Sequence, residues 1–169
     1  MLDDKRRAKR RKFVVHNTLG LGPTVLCNSN FANTRQLETI MPFAKIETRY
    51  SHSPEQVQAL IESVYQAQRV ALKVPEDDRQ IRYIEHKPEH FAVPPGKTEK
   101  YTFVEILLFP GRSIDAKRNL YQEIVTRFGK LGIAPADIFI VLHEPPLDNW
   151  GIRGGYPASE VNIGFNLNV

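Results

Sequence analysis

Apolar and polar residues begin to alternate and recur only from Pro42 onward, and from there the pattern runs almost to the end of the chain. Residues 43–49 read as a short strand. Ser53-Pro54-Glu55-Gln56 reads as a helix start, with Ser53 as the cap, Pro54 at the first helical position and Gln56 able to complete a capping box. Val57, Leu60, Ile61, Val64, Ala71 and Leu72 then recur at helical spacing until Pro75 stops the helix. A strand over 79–86 follows, and Pro88, Pro94, Pro95 and Gly96 make 87–100 a loop. Tyr101 to Phe109, rich in aromatic and branched residues, predicts another strand. Pro110-Gly111-Arg112-Ser113 turns into a second helix with Leu120, Tyr121, Ile124, Val125, Phe128 and Leu131 on one face, ended by Ile133-Ala134-Pro135. Ile138 to Leu142 predicts a buried strand, and the Gly-, Pro- and Asn-rich tail, 145–169, predicts short strands or a hairpin.

These elements form an internal repeat. Ser53 and Ser113, Leu60 and Leu120, Pro75 and Pro135, and Asp77 and Asp137 are each separated by 60 positions. Each half is strand, helix, strand, which predicts parallel strands joined by a right-handed crossover. The expected fold is α/β: two βαβ units forming a four-stranded sheet with both helices on one face. Its other face, expected to be too apolar for water, calls for cover by further subunits.

Charge divides the chain at the same point. Residues 1–41 hold eight Lys/Arg against three Asp/Glu, whereas 42–169 hold fifteen against sixteen. The basic excess is concentrated in Lys5-Arg6-Arg7-Ala8-Lys9-Arg10-Arg11-Lys12, so the body gives no reason to expect nucleic acid, and only the leader could contact it. That leader has no periodic apolar face. It makes a poor secretory signal, and Asp3 and Asp4 count against a transit peptide. The expectation is a basic, disordered leader over 1–41, or an upstream start that is not the one used. Cys27 is the sole cysteine, which excludes an internal disulfide and fits a cytoplasmic, reducing compartment. No apolar run approaches the roughly 20 residues of a membrane span.

Met41-Pro42 opens the first strand where composition changes. If Met41 were removed as an initiator, Pro42 would carry a secondary amine able to act as a base, which no internal residue supplies; an internal Pro42 would be an ordinary strand-edge proline. Arg112, after Gly111, offers a planar fork for a carboxylate or is a surface arginine. Asp78 lies in an acidic turn with Glu76 and Asp77 that could equally be solvated. Trp150, the sole tryptophan, suits packing as well as a pocket wall. Arg153 is a further carboxylate-binding candidate. Arg79 and Arg82 read as charged strand residues. Pro88 between His86 and His90 prevents a helical metal pair. His52 between Ser51 and Ser53 lacks the acidic partner and oxyanion turn of a nucleophile dyad. No phosphate loop or dinucleotide fingerprint is present, so no cofactor or metal is expected.

Pro42, Val74-Pro75-Glu76-Asp77-Asp78-Arg79, Pro110-Gly111-Arg112-Ser113 and Asp148-Asn149-Trp150-Gly151-Ile152-Arg153-Gly154-Gly155 resemble, in order and spacing, the tautomerase superfamily, and within it the malonate semialdehyde decarboxylase branch. The resemblance covers 42–169. It implies a homotrimer using an amino-terminal proline on small, carboxylate-bearing oxo acids. Keto–enol tautomerisation is the first expectation, with Pro42 moving the proton and Arg112 holding the carboxylate. Decarboxylation or hydration of a 3-oxo acid, with Asp78 orienting water or holding the proline cation, is the alternative. The decarboxylase branch has arginines on both sides of the proline in this turn, whereas here Phe109 precedes Pro110. The non-enzymatic alternative is a binding protein on the same scaffold, tethered through its leader.

Overall fold

The computed structural model describes residues 42–76 and 78–163. The leader with Met41 and Cys27, Asp77 of the repeat, and the tail beyond 163 lie outside them. Four six-residue strands, β1 (Phe43–Thr48), β2 (Gln80–Glu85), β3 (Thr102–Leu107) and β4 (Ile138–His143), form one sheet in the order β2-β1-β3-β4. Helices α1 (Pro54–Leu72) and α2 (Ile114–Lys130) connect the strands within each unit. β1 pairs parallel with β2, and β3 with β4, while the two units meet through the antiparallel pair β1–β3.

Local chemistry explains both helix starts. The Ser53 hydroxyl accepts from the Gln56 amide at 3.3 Å, and the Gln56 side chain accepts from the Ser53 amide at 2.9 Å, completing the capping box. Ser113 accepts from the Ala116 amide at 3.2 Å at the corresponding place. Helix α1 ends on Lys73, whose φ of 58° lies in the left-handed region used by many helix C-termini.

Alternation along β1 and β3 divides the sheet into two faces. Ala44, Ile46, Val104 and Ile106 point toward the helices and pack with Leu60, Val64, Ala67, Leu120, Ile124 and Phe128. Both helices therefore cover one face, and they also pack against each other. Gln68 is fully buried where its repeat mate, 60 positions on, is Phe128, and its amide has no hydrogen-bond partner among the described residues.

The opposite face is less apolar than its sequence suggests. Its first and third rows carry Phe43, Leu107, Ile84, Phe103 and Phe139, and the Phe103 and Phe139 rings stack 5.5 Å apart. Its central row places Arg82, Lys45 and Glu105 side by side. Lys45 bridges Glu47, at 2.7 Å, and Glu105; His86 meets Glu47 at 2.6 Å and His143 meets Glu105 at 3.2 Å. Hydrogen bonds to Glu105 and Glu47 hold the Lys45 ammonium above its ordinary value. Burial works to raise the Glu47 carboxyl, but bonds from Lys45 and His86 outweigh it and leave the group below its ordinary value. Strand β4, expected to be buried, is an edge strand and only half-buried, with Phe139 50% exposed.

The loop between β2 and β3 is tied down from afar. Asp137, only 2% exposed, accepts from the Thr98 amide at 2.8 Å and the Thr98 hydroxyl at 2.6 Å. These bonds, the hydroxyl's first, lower the Asp137 carboxyl below its ordinary 3.8. The stabilisation they bring is present above that value and disappears as pH falls through the lowered one. Asp137→Ala is therefore expected to cost about 2–3 kcal/mol at pH 7, from two hydrogen bonds to a charged acceptor. Denaturant titrations should show the cost shrinking well below pH 4; a cost independent of pH would contradict this assignment.

Candidate active site

Strand register gathers three of the chemically promising residues at one end of the sheet. Phe43 pairs with Gln80 on one side and Leu107 on the other. Pro42, one residue before Phe43, therefore heads central strand β1 beside the segment leading into β2 and the segment leaving β3. The first segment carries Asp78 and the second runs through Phe109 to Arg112. Pro42 is buried, Asp78 is 3% exposed and Arg112 is 8% exposed.

The turn that delivers Asp78 is braced by α1. The Tyr65 hydroxyl donates to the Glu76 carbonyl, and the Arg79 guanidinium lies 5.1 Å over the Tyr65 ring while pairing with Glu62 at 3.1 Å. Arg79 thus works as a clamp on this turn and precedes the strand. Arg82 packs 4.8 Å over the Phe43 ring. The Asp78 amide donates to the Pro75 carbonyl at 3.2 Å. Burial pushes the Asp78 carboxyl up, opposed by the Gln80 amide at 3.5 Å.

Arg112 is delivered by a turn that needs glycine: Gly111 has a φ of 118°, where an L side chain is strained. Ser113 then caps α2 directly after Arg112. Burial pulls the guanidinium's pKa down, while the Glu144 carboxylate opposes that shift. Glu144 follows β4 and also pairs with Lys117 on α2. Sequence reasoning missed this acid because only the strand pairing brings it toward Arg112.

Trp150 stands edge-on to Phe109 with centroids 5.2 Å apart, and its indole N–H donates to the Pro145 carbonyl at 3.1 Å. It braces the segment leading to Arg112. Arg153 is exposed at the tip of a small hairpin, β5 (Gly151–Ile152) and β6 (Tyr156–Pro157). Its φ of 47° precedes Gly154 at 82° and Gly155 at 110°. The hairpin anticipated in the tail is thus present, with Arg153 in its turn.

A buried carboxyl and a buried guanidinium beside the head of a strand can hold a small anion and position a proton or water. Residues 78–153 match the family model of tautomerase enzymes. The fold is similar to that of malonate semialdehyde decarboxylase, a protein with decarboxylase and hydratase activities (20% identity, 71% of this chain and 99% of the other, TM-score 0.62). It is also similar to native fused 4-OT (17% identity, 70% and 98% coverage, TM-score 0.64) and to an asymmetric fused 4-OT trimer (19% identity, 70% and 97% coverage, TM-score 0.63).

Because burial raises the Asp78 pKa, its protonated form contributes stability that is complete below 3.8 and is lost as pH rises through the raised value. Asp78→Asn should therefore melt higher than the parent protein at pH 7, and the two should converge below pH 3.8. Thermal unfolding followed by circular dichroism measures both arms; a difference unchanged between them would remove the buried charge as its cause.

Proposed function

We propose that this tautomerase-superfamily enzyme catalyses keto–enol tautomerisation of a small oxo acid, with the amine of Pro42 as base and acid and Arg112 holding the substrate carboxylate. The observation that carries this reading is a buried proline at the head of a central strand, at the same sheet end as buried Arg112. A terminal amine in water has a pKa of roughly 8. Burial and a neighbouring guanidinium both disfavour the ammonium form, so the neutral amine becomes available near pH 7. It then takes a proton from carbon next to the carbonyl and returns it to the enol. The Arg112 fork anchors the carboxylate by two charge-assisted hydrogen bonds. Trp150 walls the pocket through Phe109, and Arg153 provides a second contact for the carboxylate.

A second reading is decarboxylation or hydration of a malonate semialdehyde-like 3-oxo acid. Asp78 favours it, being buried with a raised pKa, as does the likeness to malonate semialdehyde decarboxylase. There Asp78 would orient water and Pro42 would remain cationic. We further propose a cytoplasmic homotrimer. The half-exposed apolar rows of the open sheet face and the trimeric fused 4-OT relatives support self-association; no helix among the described residues is long and apolar enough to cross a membrane.

An amide nitrogen has its lone pair delocalised into the carbonyl and takes no proton near neutral pH. The form beginning at Pro42 is therefore expected to be active and the intact chain from Met1 nearly inert. Ketonisation of enolised phenylpyruvate, assayed after mass spectrometry establishes each terminus, tests this. Equal activity from the uncleaved full chain would eliminate Pro42 as the base. In the same assay Arg112→Ala should lower kcat/KM at least tenfold, on the scale of one lost charge-assisted hydrogen bond. Asp78→Asn should leave ketonisation largely intact; abolished turnover of a 3-oxo acid would favour the second reading.

For assembly, light scattering on residues 42–169 should report three copies. A soluble monomer persisting at micromolar concentration would rule the trimer out.

A further inference from the structure

We propose that the opposite end of the sheet holds a second, non-catalytic site for a small aromatic monocarboxylate, centred on Arg49. The repeat supplies the frame. Arg112 lies 60 positions from His52, each directly before the serine that caps its helix. By face, Ala44 and Ile46 correspond to Val104 and Ile106, so Thr102 stands where Pro42 does; Ile81 and Tyr83 correspond to Ile140 and Leu142, so Asp137 stands where Asp78 does. The antiparallel β1–β3 pair puts these counterparts at the other end of the sheet, where β1 ends and β3 begins.

That end keeps a hollow but not the catalytic groups. An open cavity of about 400 Å³ is lined by Arg49, Tyr50, Ser51, Pro88 and Glu99. Its volume falls within the roughly 300–1,000 Å³ of small-molecule pockets. No terminal amine is possible at Thr102, inside the chain, and the Asp137 carboxylate is taken up by the Thr98 amide at 2.8 Å and hydroxyl at 2.6 Å. Burial pulls the His52 imidazole below its ordinary value, with Lys100 adding to the effect and Gln56 and Glu85 opposing it. Its ring stands edge-on to Tyr50, with centroids 4.8 Å apart.

Positive charge comes instead from Arg49, three residues before His52. Among the described residues no carboxylate pairs with Arg49 and no hydrogen bond engages the Ser51 hydroxyl. A guanidinium fork and a hydroxyl in the same lining suit a carboxylate. Tyr50 and Pro88 supply flat apolar surface for a ring, and the Tyr50 backbone is fixed by the Tyr83 hydroxyl, which donates to its carbonyl at 3.4 Å. Lys100 lies 5.3 Å over the Tyr50 ring and adds to the positive field. Glu99 in the lining disfavours a second negative charge on the ligand. The site binds and does not turn over.

The full chain, labelled with ¹⁵N and titrated with phenylacetate, tests the proposal by amide chemical shifts. Saturable shifts are expected at Tyr50, Ser51 and Glu99, with much weaker ones for neutral 2-phenylethanol. They should survive Arg112→Ala, which separates this site from the Pro42 end, and weaken about tenfold or more in Arg49→Ala, the scale of one lost charge-assisted bond. Ser51→Trp, at an exposed position, should block the cavity and abolish them without touching the core. Shifts confined to the Pro42 end, unaltered binding in Arg49→Ala, or no saturable shift at all would each overturn the proposal.

Discussion

The antiparallel pairing of β1 with β3 is the constraint on which the arrangement of this chain depends. Either βαβ unit alone has two parallel strands, one helix and a half-covered sheet. Joining the units through β1 and β3 makes a continuous sheet and unites the two helices into one layer over Ala44, Ile46, Val104 and Ile106. The same ladder runs the two central strands in opposite directions. The beginning of β1 therefore meets the end of β3, and residues separated by about 70 positions become neighbours: buried Pro42 and the segment carrying buried Arg112. Parallel pairing of β1 with β2 then adds Asp78 to that end. A one-residue slip in any ladder would turn the core residues outward, so core packing and the geometry of the candidate site are enforced by the same register.

Much of this was legible because its determinants are local. The Ser53-Pro54-Glu55-Gln56 start, the helical spacing of Leu60, Val64 and Ala71, and the 60-residue offset between the capping serines all hold in the fold. What was not legible depends on distant partners. Asp137 and Thr98 are 39 positions apart, and no local pattern announces their clasp. Strand β4 has the apolar composition of a buried strand, yet the sheet order puts it at an edge, where half of that surface stays open. The open face looked too apolar for water because Phe43, Phe103 and Phe139 stand out in its composition; the cross-strand register is what aligns Lys45 with Glu105 and Arg82 at its centre. At the candidate site, sequence indicated Pro42, Asp78, Arg112 and Trp150, whereas Glu144 became visible only once β4 was paired with β3.

The electrostatics of the site end and the open face differ in kind. Asp78 and Arg112 lie in surroundings that work against their charged forms, so each is shifted toward neutrality by burial. Lys45 and Glu47 instead exchange hydrogen bonds with oppositely charged neighbours, and both are shifted toward their charged forms. Groups held against their preferred ionisation respond strongly to an arriving charge, as a substrate carboxylate would be. Groups held in their preferred ionisation act as fixed geometric markers.

The charged centre of the open face also governs what the chain does when it meets the wrong surface. An apolar patch or stray strand laid across Phe103 and Phe139 would strip water from Lys45, Glu47 and Glu105 without supplying matching partners. Such an encounter loses in desolvation what it gains in apolar contact. Only a surface that continues the His86–Glu47–Lys45–Glu105–His143 array can close over this face at little electrostatic cost. Five side chains thus set a desolvation barrier against mismatched apolar contact on this face.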